Sequence, residues 1–167
     1  MFYDPAWALP HFVSLLLSLG FVLAAVRKPL LARKLYAGLF LYATLVNASV
    51  AFFVPQTYVG NARYALLEVY RSFILGWFSE HVTPVVFAIS LGQALIAAGL
   101  IHGAWAARAA LGGVIVFSLA IAPLGVASAF PASLVWAFGA GWLLLHPQAK
   151  QTLAAPLGRR PSRLAHG

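Results

Sequence analysis

The stretch "AISLGQALIAAGLIHGAW", residues 88–105, has no charged side chain, yet Gln93 stands in its middle. Nearly every other residue in it is apolar or small. The whole chain shares this character: of its 167 residues 62% are hydrophobic and 8% charged, where a soluble domain carries roughly 25% charged residues. A soluble fold of this length cannot hide so much apolar surface, so the solvent is expected to be lipid. A helix of about 20 residues crosses a hydrocarbon core of about 30 Å. Apolar runs of this kind cover 8–26, 35–54, 83–102 and 109–145, the last broken by Pro123 and Pro131.

These runs predict an all-α integral membrane helical bundle of five crossings, at 9–26, 35–54, 83–102, 109–127 and 131–146. The fourth is expected to kink at Pro123, and the fifth to begin with Pro131 in its first turn. Residues 1–146 then form a single transmembrane domain. The remainder, 147–167, is a short polar run with three prolines and three arginines, expected to be disordered or to lie on the membrane surface. The first run lacks the basic leader of a cleaved signal peptide, since Asp4 is the only charge before it and "RKPLLARK" follows it directly. It is expected to be retained. With no cysteine in the chain, disulfides, thiolate metal sites and cysteine nucleophiles are all excluded.

Charge gives an expected orientation. With five crossings and the N-terminus outside, the cytoplasmic segments are 27–34, 103–108 and 147–167. They hold Arg27, Lys28, Arg33, Lys34, Arg108, Lys150, Arg159, Arg160 and Arg163, nine of the eleven basic residues. Arg63, Arg71 and all three acids, Asp4, Glu68 and Glu80, fall on the other side. Basic residues near membrane ends resist translocation. The formal net charge of +8 therefore calls for an anionic inner leaflet and not for nucleic acid. The location this implies is a bacterial inner membrane, with the C-terminus cytoplasmic.

Residues 61–80, "NARYALLEVYRSFILGWFSE", are apolar enough to suggest a sixth crossing, but Arg63, Glu68 and Arg71 lie inside that span. A sixth crossing would also carry the basic tail outside. The segment is expected to be an amphipathic helix on the outer face, with Tyr70, Phe73, Trp77 and Phe78 dipping into the interface. Glu68 and Arg71, three residues apart, can pair on its wet side. Tyr64, Glu68 and Arg71 share one helical face at spacings of four and three, a surface suited to docking a partner.

An amide such as Gln93 costs several kcal/mol if left unpaired in lipid, so it is expected to face protein or a water-filled cavity. Asn47 lies about 18 Å above the inner end of its helix and Gln93 about 13 Å above the inner end of its own. The two helices are joined only through the outer loop, so they run antiparallel and a gap of about 5 Å is bridgeable. Small residues favour close approach: Ala43 and Ala51 beside Asn47, the pair Ala88 and Gly92, and the pair Gly99 and Gly103. The amides, with Thr44 and Ser90 nearby, either tie helices together or orient a bound ligand.

A search for catalytic sets finds little. No Asp or Glu lies in a crossing, so no carboxylate relay is possible. Ser14, Ser18, Ser49, Ser90 and Ser118 have no His–acid pair beside them. "LGG" at 111–113 follows no strand and is not a phosphate loop; Gly112 and Gly113 are expected to allow tight helix packing. His11 and His81 fall near the outer face, His102 and His146 near the inner one. Two same-leaflet pairs could each ligate a b-type haem; otherwise they are histidines tolerated at membrane ends. No other metal set is present.

"ARKLYAGLFLYATLVNASVAFFVP" (32–55) followed by "SLGQALIAAGLIHGAWAARAALGGVIVFSLAI" (90–121) resembles the DoxX-like membrane proteins. The likeness lies in a basic residue before Gly38 and Phe40, in Pro55 closing that helix, and in a small and polar stretch ending in "AGL". A short turn then leads to Arg108 and "AALGG". It covers about residues 33–145 and leaves the first crossing as an addition. At Gln93 the family pattern often has an acid, and near Asn47 a lysine or glycine. The resemblance implies a four-helix bundle with an amphipathic segment after its first helix, and a small redox-associated or quinone-linked accessory subunit.

The expected function is therefore a membrane accessory subunit without turnover of its own, associated with other membrane protein subunits and binding a quinone or lipid in the bundle. A small transporter or permease-like protein is a second class, for which Thr44, Asn47, Ser49, Ser90 and Gln93 offer a thin polar path. A haem electron carrier is a third.

Overall fold

The computed structural model describes residues 8–146. The tail at 147–167 and Asp4 lie outside the described residues. Seven α-helices follow in order: α1 (Ala8–Arg27), α2 (Pro29–Phe53), α3 (Gln56–Gly60), α4 (Glu68–Phe73), α5 (Val82–Ile101), α6 (Ala104–Ile121) and α7 (Ala132–Leu145). There is no strand among the described residues. Four stretches are long and apolar enough to cross a membrane: α1, α2, α5, and α6 with its continuation to Ser128. Helix α7 is apolar but has 14 residues, about 21 Å of rise.

The expected segments at 9–26 and 83–102 match α1 and α5 to within a residue or so. Helix α2 begins six residues before the expected start, at Pro29. Proline is preorganised for a first turn, and the basic residues after it hide this turn from an apolar count. Helix α6 begins at Ala104 and stops at Ile121, where Pro123 forces a 3₁₀ segment, Ala122–Ser128. The expected kink is thus the end of the α-helix. Pro131 precedes α7 as its cap and does not enter its first turn.

The five long helices form a closed ring in which each packs on two neighbours, in the order α1, α2, α5, α6, α7 and back to α1. Lys28 alone links α1 to α2, and His102 with Gly103 links α5 to α6. These links define one end of the ring, here the turn end. Residues 54–81 and 122–131 lie at the opposite, excursion end. Adjacent helices are antiparallel except α1 and α7, which run the same way.

Two cores divide the molecule. At the turn end, Ala25, Tyr36, Phe40, Leu100, Leu111 and Leu143 bring all five long helices together. At the excursion end, Ala51, Val82 and Val86 of α2 and α5 pack instead on Ala62, Ile74 and Phe78 of the excursion. Outward positions are apolar on every long helix: Leu16, Leu45, Leu95, Val116 and Phe138 are each more than half exposed. An apolar shell of that extent belongs in lipid.

Small residues act selectively. A Cβ on Gly99 would come 2.9 Å from Ala110 Cβ and 3.1 Å from Ala106 O, and one on Gly113 would come 2.9 Å from Ile96 Cγ1. Helices α5 and α6 therefore meet through glycine. Gly92 and Gly112 have nothing within 4 Å and Ala88 is exposed, so the Ala88/Gly92 pair and Gly112 make no helix contact, contrary to expectation. They occupy the outward face of their helices.

The segment at 61–80 is not one amphipathic helix. A 3₁₀ turn, Asn61–Tyr64, ends before an extended Leu67 (φ −116°, ψ 133°), and α4 then starts afresh at Glu68. A π-helical stretch, Ile74–Phe78, continues α4. The break is held by the neighbouring segment: Leu66 N–H donates to Pro123 O at 2.8 Å. Gly125 takes φ +75° and lies so close to the Tyr64 carbonyl that any Cβ would collide with it. Only glycine fits there.

Candidate functional site: a polar chain between α2 and α5

Three cross-helix hydrogen bonds fix the register of α2 against α5. Thr83 Oγ1 donates to Ala51 O (3.1 Å), Thr44 Oγ1 to Ser90 O (3.4 Å), and Arg33 Nη2 to Leu100 O (2.7 Å). With Thr44 level with Ser90, the Cα atoms of Asn47 and Gln93 differ in height by about 9 Å at 1.5 Å per residue. That is wider than the 5 Å expected from sequence. The gap closes because side chains lean toward the N-terminus of their own helix. In an antiparallel pair these two lean toward each other.

Asn47 Nδ2 donates to Gln93 Oε1 at 3.0 Å. Tyr58 OH, on α3, donates to Asn47 Oδ1 at 2.9 Å and lies 3.3 Å from Asn47 O. The phenol fixes which way the Asn47 amide points, since the oxygen that accepts from Tyr58 leaves the nitrogen for Gln93. The result is a directional chain from phenol to amide to amide. It begins in the excursion and ends at a residue 2% exposed. Gln93 Nε2 has no acceptor among the described residues. Burial pushes the Tyr58 phenol above its ordinary range, so Tyr58 stays protonated and remains a donor at neutral pH.

The hydroxyls of Thr44 and Ser90 each have a carbonyl within their own helix. The single Thr44 hydroxyl hydrogen is shared between Ser90 O and the nearer Phe40 O (2.8 Å), and Ser90 Oγ donates to Val86 O (2.9 Å). The fully enclosed side-chain polar atoms without a partner among the described residues lie on α6 and α7, Ser118 Oγ, Ser133 Oγ and Trp136 Nε1, whereas the unpartnered Gln93 Nε2 keeps a little surface access.

Sequence reasoning missed three residues. Tyr58 stands outside every apolar run, and nothing in its neighbours marks it. Arg33 counts in the sequence as one basic charge among several, yet it is fully buried. Its Nη2 reaches Leu100 O and His102 O (3.1 Å), and its Nε reaches Leu100 O (3.2 Å). It supplies positive charge and donors to the unpaired carbonyls at the C-terminus of α5. Tyr36 is also fully buried. Its hydroxyl donates to Trp136 O on α7 (2.8 Å) and its ring meets Phe21 edge to face at 5.0 Å. Gly139 makes room for it, since a Cβ there would sit 2.6 Å from the Tyr36 oxygen. The signal for both lay in the "RKLYAG" stretch, where a basic and an aromatic residue stand three apart at a helix start.

The expected docking face is not assembled as foreseen. Tyr64 sits on the 3₁₀ turn, and the break before Glu68 removes it from the face that carries Glu68 and Arg71. Arg63 covers the Tyr64 ring at 4.6 Å. Glu68 and Arg71 are both exposed and form no ion pair with each other. Phe78 is buried in the core and does not reach an interface. Tyr70 donates its hydroxyl to Ala120 O (2.9 Å), tying α4 to α6. Phe73 and Trp77 do stay exposed, stacked at 5.9 Å, with His81 stacked on Trp77 at 4.4 Å.

The histidine pairs belong to helices that are not neighbours in the ring: His11 on α1 and His81 beside α5, His102 beside α5 and His146 beside α7. His81, His102 and His146 each direct Nδ1 at the carbonyl four residues earlier. Among the described residues no group of three or more His, Cys, Asp or Glu could hold a metal ion.

Comparison of the chain with protein-family models, with curated proteins and with solved structures finds no match to any of them.

Proposed function

We propose that this chain is a five-crossing protein of a bacterial inner membrane that serves as an accessory subunit in the manner of the DoxX-like proteins. In this reading Gln93 offers its amide N–H groups to a carbonyl oxygen of a quinone or lipid. The observation that carries it is the end of the polar chain. Gln93 is buried, its oxygen is held by Asn47, and its two N–H donors have no acceptor among the described residues. A neutral carbonyl suits such donors, because amides and hydroxyls can orient a ligand but cannot trade protons near pH 7. Asn47, Thr44 and Ser90 hold the site, and turnover belongs to a partner subunit.

Five crossings are supported by the place of α7, which fills the ring between α6 and α1 and returns the chain to the turn end. Its short length is compatible with local thinning or tilt of its neighbours. Sidedness is supported by charge: Arg27, Lys28, Arg33, Lys34 and Arg108 lie at the turn end, Glu68 and Glu80 at the excursion end. The turn end is then cytoplasmic, and Phe73 and Trp77 rest at the outer interface.

Purification in mild detergent from native membrane, with mass spectrometry of the protein and of its organic extract, tests the reading. A copurifying membrane subunit and a quinone or lipid that is lost in Gln93→Leu support it. A clean monomer that moves solutes in liposomes, or a Soret band, would replace it. Reporter fusions after Lys34, Ser79, Arg108 and the C-terminus test the topology, and an external C-terminus would refute it.

A further inference from the structure

On the outward side of the ring, the seam between α5 and α6 opens near the turn end into an apolar groove of about 290 Å³. Its floor has almost no side chains: Gly99, Ala106, Ala109 and Ala110. The two backbones approach there closely enough that a Cβ on Gly99 would meet Ala106 O at 3.1 Å. Leu95 and Ile96 form one wall and Trp105 the other. Trp105 is 83% exposed, so it shapes the groove without being part of the packed core.

The mouth of the groove differs from its floor. Trp105 lies in the first turn of α6, at the turn end. Arg108 is outside the groove's lining but exposed, three residues on and so beside Trp105 on the helix surface, and a helical side chain leans back toward the N-terminal, turn end. Indole N–H and guanidinium are both donors with no acceptor role. Arg27, Lys28 and Lys34 stand at the same end, while the described carboxylates, Glu68 and Glu80, are at the other. Among the described residues the charge at this end is therefore positive and unopposed. An occupant must have a hydrocarbon part for the floor and an anionic, oxygen-bearing part for the mouth.

We propose that the α5–α6 groove binds one acyl chain of an anionic phospholipid, with its phosphate held by Arg108 and Trp105 at the turn end. The site needs α5 and α6 to cross the membrane, and it stands whether or not Gln93 binds a ligand. A zwitterionic lipid offers the same phosphate without the net charge, so the two classes can be told apart. Arg108 tips the choice, since a basic residue near a membrane surface favours anionic lipid by about 1 kcal/mol, about fivefold.

The full-length protein, delipidated and incubated with equal amounts of phosphatidylglycerol and phosphatidylcholine, can be weighed intact by native mass spectrometry. The expected result is one retained lipid per chain, with phosphatidylglycerol favoured about fivefold. Arg108→Gln should keep the lipid and lose the preference. Ala109→Phe should fill the groove and lose both lipids; Ala109 is exposed, so circular dichroism should show an unchanged fold. Equal retention of the two lipids by the unaltered protein would overturn the proposal, as would full retention by Ala109→Phe. A dimer that Ala109→Phe splits, with lipid retention unchanged, would assign the groove to a second copy of the chain instead.

Discussion

Both ends of the helix ring have side chains tied to main-chain carbonyls, but only the excursion side adds a chain of side-chain-to-side-chain bonds. At the turn end, Arg33 and Tyr36 each place a side chain on main-chain carbonyls, those of Leu100, His102 and Trp136. At the excursion end, the deepest tie is side chain to side chain, from Tyr58 to Asn47 to Gln93. A carbonyl within a helix has one position, so a bond to it has one rotating partner. A bond between two side chains has two, and both must be ordered at a cost in entropy. The cores differ likewise. One joins five long helices, while the other joins α2 and α5 to a chain excursion built of short pieces. Fixity is thus concentrated at the turn end, and the chain that starts in the more adaptable excursion reaches the open donor of Gln93 near the middle of α5.

Mutations can break or sharpen this contrast, and the largest effect is expected at Arg33. Arg33→Met keeps much of the volume but strips the C-terminus of α5 of its charged donor. Hydrogen bonds to charged groups contribute about 1.5–3 kcal/mol, so thermal unfolding in detergent should show a loss of about 3 kcal/mol. A loss no greater than that of Asn47→Leu would erase the distinction between the ends.

Next come two glycines of α5. Gly99→Ala should destabilise by about 1–3 kcal/mol through overpacking against α6, whereas Gly92→Ala, which meets nothing, should be neutral or stabilising by up to about 1 kcal/mol. Equal effects in a urea or heat melt would contradict the packing described.

A double-mutant cycle with Asn47→Leu and Gln93→Leu should give a coupling energy of about 0.6–2 kcal/mol. Additive single effects would mean that the amides act apart.

The smallest effect is expected at Tyr58. Its phenol is raised by burial, so the folded state keeps a proton that the unfolded chain loses first. Stability should be full below the ordinary tyrosine value of about 10 and fall as pH rises past it. Tyr58→Phe should flatten that fall and cost about 1 kcal/mol near neutral pH. An unchanged alkaline melt would show that the phenol is not buried in solution.

The long helices were legible because lipid imposes length and apolarity together, and both can be counted along α1, α2, α5 and α6. The meeting of Asn47 and Gln93 was legible in outline because few polar groups lie at that depth. The height gap is about 9 Å and not about 5 Å, because α2 starts at Pro29, before its apolar run begins. Tyr58 and the break before Glu68 were not legible. Both depend on contacts distant in sequence: the α2 amide for the one, and Pro123 with Gly125 for the other. Arg33 shows the same limit from the opposite side. Its residue type announced a surface charge, and only the position of the α5 C-terminus makes it a buried cap.

The ring closes by joining its first long helix to its last, and this sets a schedule for biogenesis. Val22 of α1 lies against the position of Gly139 on α7, more than a hundred residues later in synthesis. At about 5–20 residues per second, the flank of α1 that carries Val22, together with the pocket of Tyr36 beside it, waits on the order of ten seconds for its partner. Through that interval the half-made bundle has an open side. A chaperone or insertase that shields this flank would act on the newborn chain alone and would find no surface left once α7 arrives.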